Sequence, residues 1–371
     1  MFGTVAEAAP PSPAAIDANV RQTMTAMGSK GLAIAVIDEG QVAYVQAFGQ
    51  RNAKGDPLTT DTIMYGASLT KAVVAFATLQ LVDAGRISLD TPIADDLERP
   101  LPSNGPDPVF PHKYGPYRDL AGDERWRRIT PRNILTHSTG FANFAFLEPD
   151  RKLRIHFDPG TRFAYSGEGF VLLQFAIEHG KKEKGLGVDL GDLVQKSIFE
   201  PLGMTRTCLK WRDDLGDNVA DGWDEKGRII AHSRRAKVGA AGSMDTTIAD
   251  LAKFAAALMR GWGLSQASRA EMVRPQLHIT TKTMFPTFQP ELPPAEQRAD
   301  FYAGLGVEVF DGPQGRAFHK GGHDDATTNT LVCVERGKRC VLVLSNDVRS
   351  ERALVALVNS ILGDTGEPGA W

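Results

Sequence analysis

Cysteine is scarce in this chain: three residues in 371, Cys208, Cys333 and Cys340. So small and odd a count excludes a disulfide-built scaffold, and the spacing matches no metal motif. Charge of one sign is lacking too. The 42 basic and 45 acidic side chains leave a net charge of −3, which gives no electrostatic reason to expect nucleic acid or an anionic membrane as partner. No apolar run reaches the roughly 20 residues that a membrane-spanning helix needs. The opening stretch, MFGTVAEAAPPSPAA, has neither the basic start nor the apolar segment of a secretory signal. Rich in alanine and proline, residues 1–13 read as disordered. The compartment stays open: cytoplasmic as the chain stands, periplasmic or secreted if an export signal preceded it. Also missing are the Gly-x-Ser-x-Gly elbow, the P-loop and the dinucleotide fingerprint. What remains is an ordinary composition, 42% hydrophobic and 23% charged, in a chain long enough for one large domain or two lobes.

Residues 14–28 read as a helix. GLAIAVIDEGQVAYVQAFG gives two apolar, β-branched runs around Glu39-Gly40, a hairpin signature. Residues 69–84 are apolar nearly all round and stop at Gly85, which predicts a buried helix. GFVLLQFAIEHG (169–180) and TIADLAKFAAALMRG (247–261) are further helices ending at glycines. The second opens on Thr247 with Asp250 three residues on, a capping-box variant. Strands return at the end: GLGVEVF, a turn at Asp311-Gly312, RAFHKGG, TNTLVCVE and RCVLVLSN, then a last helix, ERALVALVNSIL. Strands at both ends with helices between them predict an α/β (α+β) fold, its largely antiparallel sheet assembled from both termini and flanked by helices. On that reading 14–85 and 236–371 make a discontinuous α/β lobe, and 86–235 an inserted helical lobe. Two segments show no period, 98–128 and the proline-rich 285–296; the first reads equally as a cover beside a site or as solvent-exposed decoration. A turn at Arg336-Gly337 sets Cys333 opposite Cys340. Two small buried residues facing each other is the favoured reading there; a cross-strand disulfide is the minor one and implies an oxidising compartment.

Three short motifs carry chemistry. In GASLTK, Ser68 and Lys71 share a face at the start of a helix, where free N–H groups and a positive end favour developing negative charge. Lys71 is the only charged residue between Leu69 and Val82, and burial would lower its pKa and make it a base. In FDPGTRFAYSGEGF, Tyr165 follows a Pro-Gly turn; near two ammonium groups its hydroxyl could exchange a proton. In FHKGGHDD, an apolar strand runs into Lys320-Gly321-Gly322, glycines that let a substrate backbone approach. Each alone has a plain alternative: a surface Ser-x-x-Lys, a packing tyrosine, a cationic edge strand. His319, His323, Asp324 and Asp325 are crowded at one strand end and rarely would converge on one ion, so no metal site is expected. For Trp126, Trp211, Trp223 and Phe146, core packing is the default.

Together, in this order and spacing, the motifs resemble those of the class C β-lactamase-like serine hydrolases, a superfamily with DD-peptidases, D-aminopeptidases and family VIII carboxylesterases. LTHSTG (135–140), EPLGMTRT (200–207) and AAGSMDTTIADLAKF (240–254) match as well, so the resemblance spans roughly residues 30–361. It implies a β-lactamase/transpeptidase-like fold, Ser68 as the acylated nucleophile, and proton transfer shared by Lys71 and Tyr165. It further implies that Lys320 orients substrate, with an oxyanion hole from the N–H groups of Ser68 and His323, donors of a type that contributes ~2.7–4 kcal/mol each. His137 is then structural, and no cofactor is required. The chain departs from the family at Tyr165-Ser166-Gly167, where an asparagine is replaced by Gly167 in the substrate-binding set, and at Lys320-Gly321-Gly322, where a threonine becomes Gly321. Both weaken the case for β-lactam hydrolysis and leave acyl transfer from esters or amides intact. The resemblance thus implies a small-molecule ester, amide or β-lactam substrate. The first expectation is a carboxylesterase. A β-lactamase, a D-Ala-D-Ala or D-amino-acid peptidase, an acyltransferase and an inactive ligand-binding homologue are the alternatives. Oligomeric state is not legible.

Overall fold

The structure is a computed structural model and describes residues 10–368; residues 1–9, most of the stretch expected to be disordered, lie outside the described residues. The first helix, Pro13–Met27, starts where its chemistry allows. Ser12 accepts from the Ala15 N–H, proline occupies the first turn, and Gly28 closes the end at φ 65°.

Gly31–Asp38 and Gln41–Gly49 form the expected hairpin. Glu39 and Gly40 both take positive φ, 49° and 73°, the two-residue turn whose twist suits paired strands. This hairpin lies against the last strand of the chain, Arg339–Ser345, with Leu32 opposite Ser345. Antiparallel pairing continues through Thr328–Val334, Gly315–His323 and Glu308–Gly312. Phe301–Ala303 and Leu277–His278 add a short edge and complete eight strands. The sheet is therefore built from both termini. One turn differs from expectation. Gly312 pairs with Gly315, so Pro313 and Gln314 make the turn. Proline has no N–H for the ladder, whereas Asp311 is tied across the hairpin to Arg316.

Alternation sends the side chains of each strand into two cores. Ala33, Ala35 and Ile37 join Leu331, Leu342 and Leu344 against the helices Leu69–Asp83 and Ile248–Arg260. Leu32, Ile34 and Val36 join Val332, Val341 and Val343 against Pro13–Met27 and the last helix, Leu354–Leu362. With both faces covered, the strands read as continuous apolar runs. At the start of Ile248–Arg260 the Thr247 hydroxyl accepts from the Asp250 N–H (3.1 Å). The box is not completed, because the Asp250 carboxylate takes the Arg206 N–H and the Lys253 ammonium, each at 2.8 Å. That ties the helix to the EPLGMTRT segment. No helix among the described residues is long and apolar enough to cross a membrane.

Cys333 and Cys340 are paired across the strands and bonded to each other, which corrects the reading of two unbonded residues. Direct opposition brings their Cα atoms to 4.1 Å, within reach of a bridge once an oxidant is present. Closing so short a loop corresponds to about 2.5 kcal/mol in a chain-entropy account. The double variant Cys333→Ala/Cys340→Ala should therefore unfold in urea with about 2–3 kcal/mol less stability. A wild-type midpoint indifferent to strong reductant would show that no bond contributes.

The segment 98–128 resolves toward a cover. It makes single helical turns at Leu101–Ser103, Tyr117–Leu120 and Glu124–Arg128. Leu101, Tyr117, Leu120 and Trp126 are buried, while the stretch from Asn104 to Asp119 walls the cleft described next.

Candidate active site

The chain bends sharply before the helix Leu69–Asp83. Ala67 takes φ 46°, a left-handed conformation uncommon outside glycine, and Ser68 caps the helix without spending its own hydroxyl on the cap. One turn on, the Lys71 ammonium lies 3.0 Å from Ser68 Oγ and 2.6 Å from the Ala241 carbonyl. Lys71 is 1% exposed. Burial lowers its pKa and the charge of Lys320 adds to that, against an opposing pull from Tyr165.

Tyr165 stands between the two lysines. The Lys71 and Lys320 ammonium groups lie 4.9 and 5.0 Å from its ring centroid. Its hydroxyl is under the electrostatic influence of Ser68, Lys71 and Lys320. Burial by itself would raise the phenol; the charges of Lys320 and Lys71, with the Ser68 hydroxyl, outweigh it and hold it below its ordinary value. Behind it His137 stacks on the ring at 4.2 Å, and its Nδ1 accepts the Ser166 N–H at 3.1 Å. Burial, then the two lysines, keeps His137 well below the usual imidazole range. It is a neutral spacer that fixes the plane of Tyr165.

Lys320 is equally buried, and its charge is answered by Glu308, with Nζ–Oε distances of 3.0 and 3.4 Å. Burial opposes the ammonium, yet Glu308 and Tyr165 raise its pKa overall. The Glu308 carboxyl, although burial works against it, is held at about 2 by Lys320 and His319. Gly322 brings the Lys320 strand onto the nucleophile turn: a Cβ there would stand 2.6 Å from the Gly66 carbonyl and 3.2 Å from the Ser68 nitrogen. Gly321 has ordinary room, its nearest neighbours at 3.5 Å. Pairing with Glu308–Gly312 stops at His319, so the edge of residues 320–323 on that side carries no strand and faces the cleft. His323 ends the strand. Its imidazole turns to Glu351 (3.3 Å), leaving only its main chain for the cleft chemistry. His319 sits between Glu308 and Glu367, 3.6 Å from each, and Asp324 accepts the Ala326 N–H, so these side chains diverge.

Ser68, Lys71, Tyr165, Lys320, Gly321, Gly322 and His323 thus meet in one place. Gly167 does not line the cleft. A Cβ on it would lie 2.5 Å from the Phe144 ring, and its N–H donates to Asn143 Oδ1 (2.8 Å). Asn143 and Phe144 line the cleft in its stead. Phe146 also lines it and is exposed, contrary to the core-packing expectation, whereas Trp126 and Trp223 are buried. Sequence reasoning missed Glu308, Ala241, Asn143 and Phe144. Only Glu308 left a signal, a lone acid inside the apolar run GLGVEVF. The cleft holds about 2100 Å³ and is walled by the 98–128 segment, residues 143–147, residues 233–243 and residues 283–285, of which only Phe285 belongs to the second aperiodic region.

The β-lactamase family profile matches residues 16–360. An unguisins hydrolase of Aspergillus campestris is 24% identical over 92% of this chain and 63% of its own length. A lovastatin esterase of Penicillium rubens is 29% identical over 49% of this chain and 50% of its own. The chain therefore spans between half and two-thirds of these relatives. Among solved structures, an octameric penicillin-binding protein homologue from Pyrococcus abyssi superposes with a TM-score of 0.71 at 23% identity, covering 97% of this chain and 79% of that one. With the family profile running from the first helix to the last, the chain is a member of the β-lactamase family of serine hydrolases.

Proposed function

We propose that the protein is a carboxylesterase that works through an acyl-enzyme on Ser68. The observation that carries this is the Lys71 ammonium 3.0 Å from Ser68 Oγ, with the Tyr165 ring beside that ammonium, its centroid 4.9 Å away. Ser68 Oγ attacks the ester carbonyl and its proton passes into the Lys71–Tyr165 pair. The N–H groups of Ser68 and His323 hold the oxyanion. The intermediate collapses, the C–O bond to the alkoxide breaks, and Tyr165 returns the proton to the leaving oxygen. Water then attacks the acyl carbon and gives a proton to the same pair; the acyl C–Oγ bond breaks as that proton passes to Ser68 Oγ, releasing the acid and the free serine.

Esters are favoured over β-lactams by what stands around the nucleophile. The ring of Phe144 fills the space in front of Gly167, and Gly321 has no hydroxyl to offer a carboxylate. The esterase among the relatives supports the same choice.

The test is intact-protein mass spectrometry and turnover with p-nitrophenyl acetate, a penicillin and a cephalosporin. Rapid acetate turnover and slow or absent β-lactam turnover are expected. Ser68→Ala should form no acyl adduct and lose turnover by at least about 10⁴-fold while keeping its fold by circular dichroism. Retained turnover in Ser68→Ala would sink the assignment. Fast β-lactam turnover in the wild type would move it to a β-lactamase.

A further inference from the structure

A cleft of about 2100 Å³ is at least twice the upper range of sites that enclose a drug-sized ligand. A nucleophile serving only acetyl-sized esters has no need of it. Its walls are apolar in a particular place. Gly167, having no side chain, lets the Phe144 ring come in, 2.5 Å from where a Cβ would stand. Phe144 stacks on Phe146 with centroids 5.2 Å apart and planes 8° from parallel. Leu147 continues this shelf. Across the cleft Phe285 meets the Tyr165 ring edge-on at 5.3 Å. Phe146 and Leu147 are each 60% exposed and Phe285 is 49% exposed. Scattered exposed apolar side chains need no explanation, but several lining one cleft mark a binding surface. Its continuity with Ser68 and Tyr165 in the same cleft selects the occupant as part of the substrate.

We infer that the preferred substrate is an ester with a large apolar group, on the acyl or the alkoxy side, seated against the Phe144–Phe146–Leu147 shelf and Phe285. This rests on the esterase reading and specifies its substrate class. The bond changes are those already given; the apolar group only positions the carbonyl.

Two substrate series test it, both below their aggregation concentrations: p-nitrophenyl acetate, butyrate and octanoate, and ethyl, butyl and octyl acetate followed by pH-stat. A fully buried methylene is equivalent to about a fourfold gain. Partial burial of six should raise kcat/KM by about a hundredfold along at least one series. Phe146→Ser and Phe285→Ser, at exposed positions that leave the core intact, should flatten that rise by about tenfold or more. A flat or falling trend in both series, with acetate still turned over, overturns the inference and leaves the esterase reading standing. An unchanged slope in both serine variants overturns it too. No turnover of any ester, with no adduct on Ser68, removes the esterase reading and this inference with it.

Discussion

Replacing Lys71 by methionine is expected to lower kcat/KM for p-nitrophenyl acetate by about 10²- to 10⁴-fold without lowering the thermal midpoint. The two effects separate because of where Lys71 sits. Its ammonium is buried beside a second lysine, and its hydrogen-bond partners are the Ser68 hydroxyl and the Ala241 carbonyl. A charge so placed is a load on the fold. Methionine follows the same path one atom shorter and carries no charge; the bond lost from the Ala241 carbonyl costs about 1 kcal/mol, offset by relief of desolvation and of repulsion from Lys320. The pH dependence gives a second readout. Burial and Lys320 depress the pKa of Lys71, so its neutral form appears at lower pH than for a free lysine near 10.4. Wild-type kcat/KM should rise with pH and level off before that value, and Lys71→Met should lose this limb. Wild-type turnover in the variant would remove Lys71 from the proton path. A large fall in midpoint would show that the charge is structural.

Much of this arrangement is legible in the sequence because it is local. Ser68 and Lys71 are one helical turn apart, the Glu39-Gly40 turn dictates its hairpin, and Thr247 and Gly261 bound their helix by capping alone. What depends on contacts between distant segments is not. Asn143 and Phe144 matter because Gly167, 24 residues on from Asn143, leaves room for them. Ala241 matters because its carbonyl meets a side chain 170 residues away. The strand Leu277–His278 has too few residues to show a period, and it exists only because Phe301–Ala303 lies beside it. The Cys333–Cys340 bond shows the limit from the other side. Their opposition follows from the turn, but whether two facing thiols are oxidised does not follow from register.

Glu308 is the member of the site most remote from any motif, and Glu308→Gln is expected to act on stability and on chemistry at once. The carboxylate is buried and bonded to Lys320. Glutamine keeps the shape and leaves the ammonium without a countercharge, at a cost of about 3–5 kcal/mol in urea unfolding near neutral pH. The sign with pH follows from the depressed carboxyl. Its folded value of about 2 lies below the unfolded value near 4.3. Its contribution is therefore complete above the unfolded value and disappears as pH falls toward the folded one. The stability gap between wild type and variant should be constant from about pH 6 to 8 and close below about pH 4. Chemistry should shift the other way. Without Glu308 the Lys320 ammonium loses its main support and gives up its proton at lower pH than in the wild type; above that pH Lys71 and Tyr165 both lose the cation that lowers them. The basic limb of kcat/KM should move to higher pH by about one unit or more. A variant with less stability but an unmoved limb would make Glu308 a structural partner only. A moved limb with unchanged stability would mean that Lys320 simply releases its proton when unpaired, so that the carboxylate's part is to keep that lysine charged beside Tyr165.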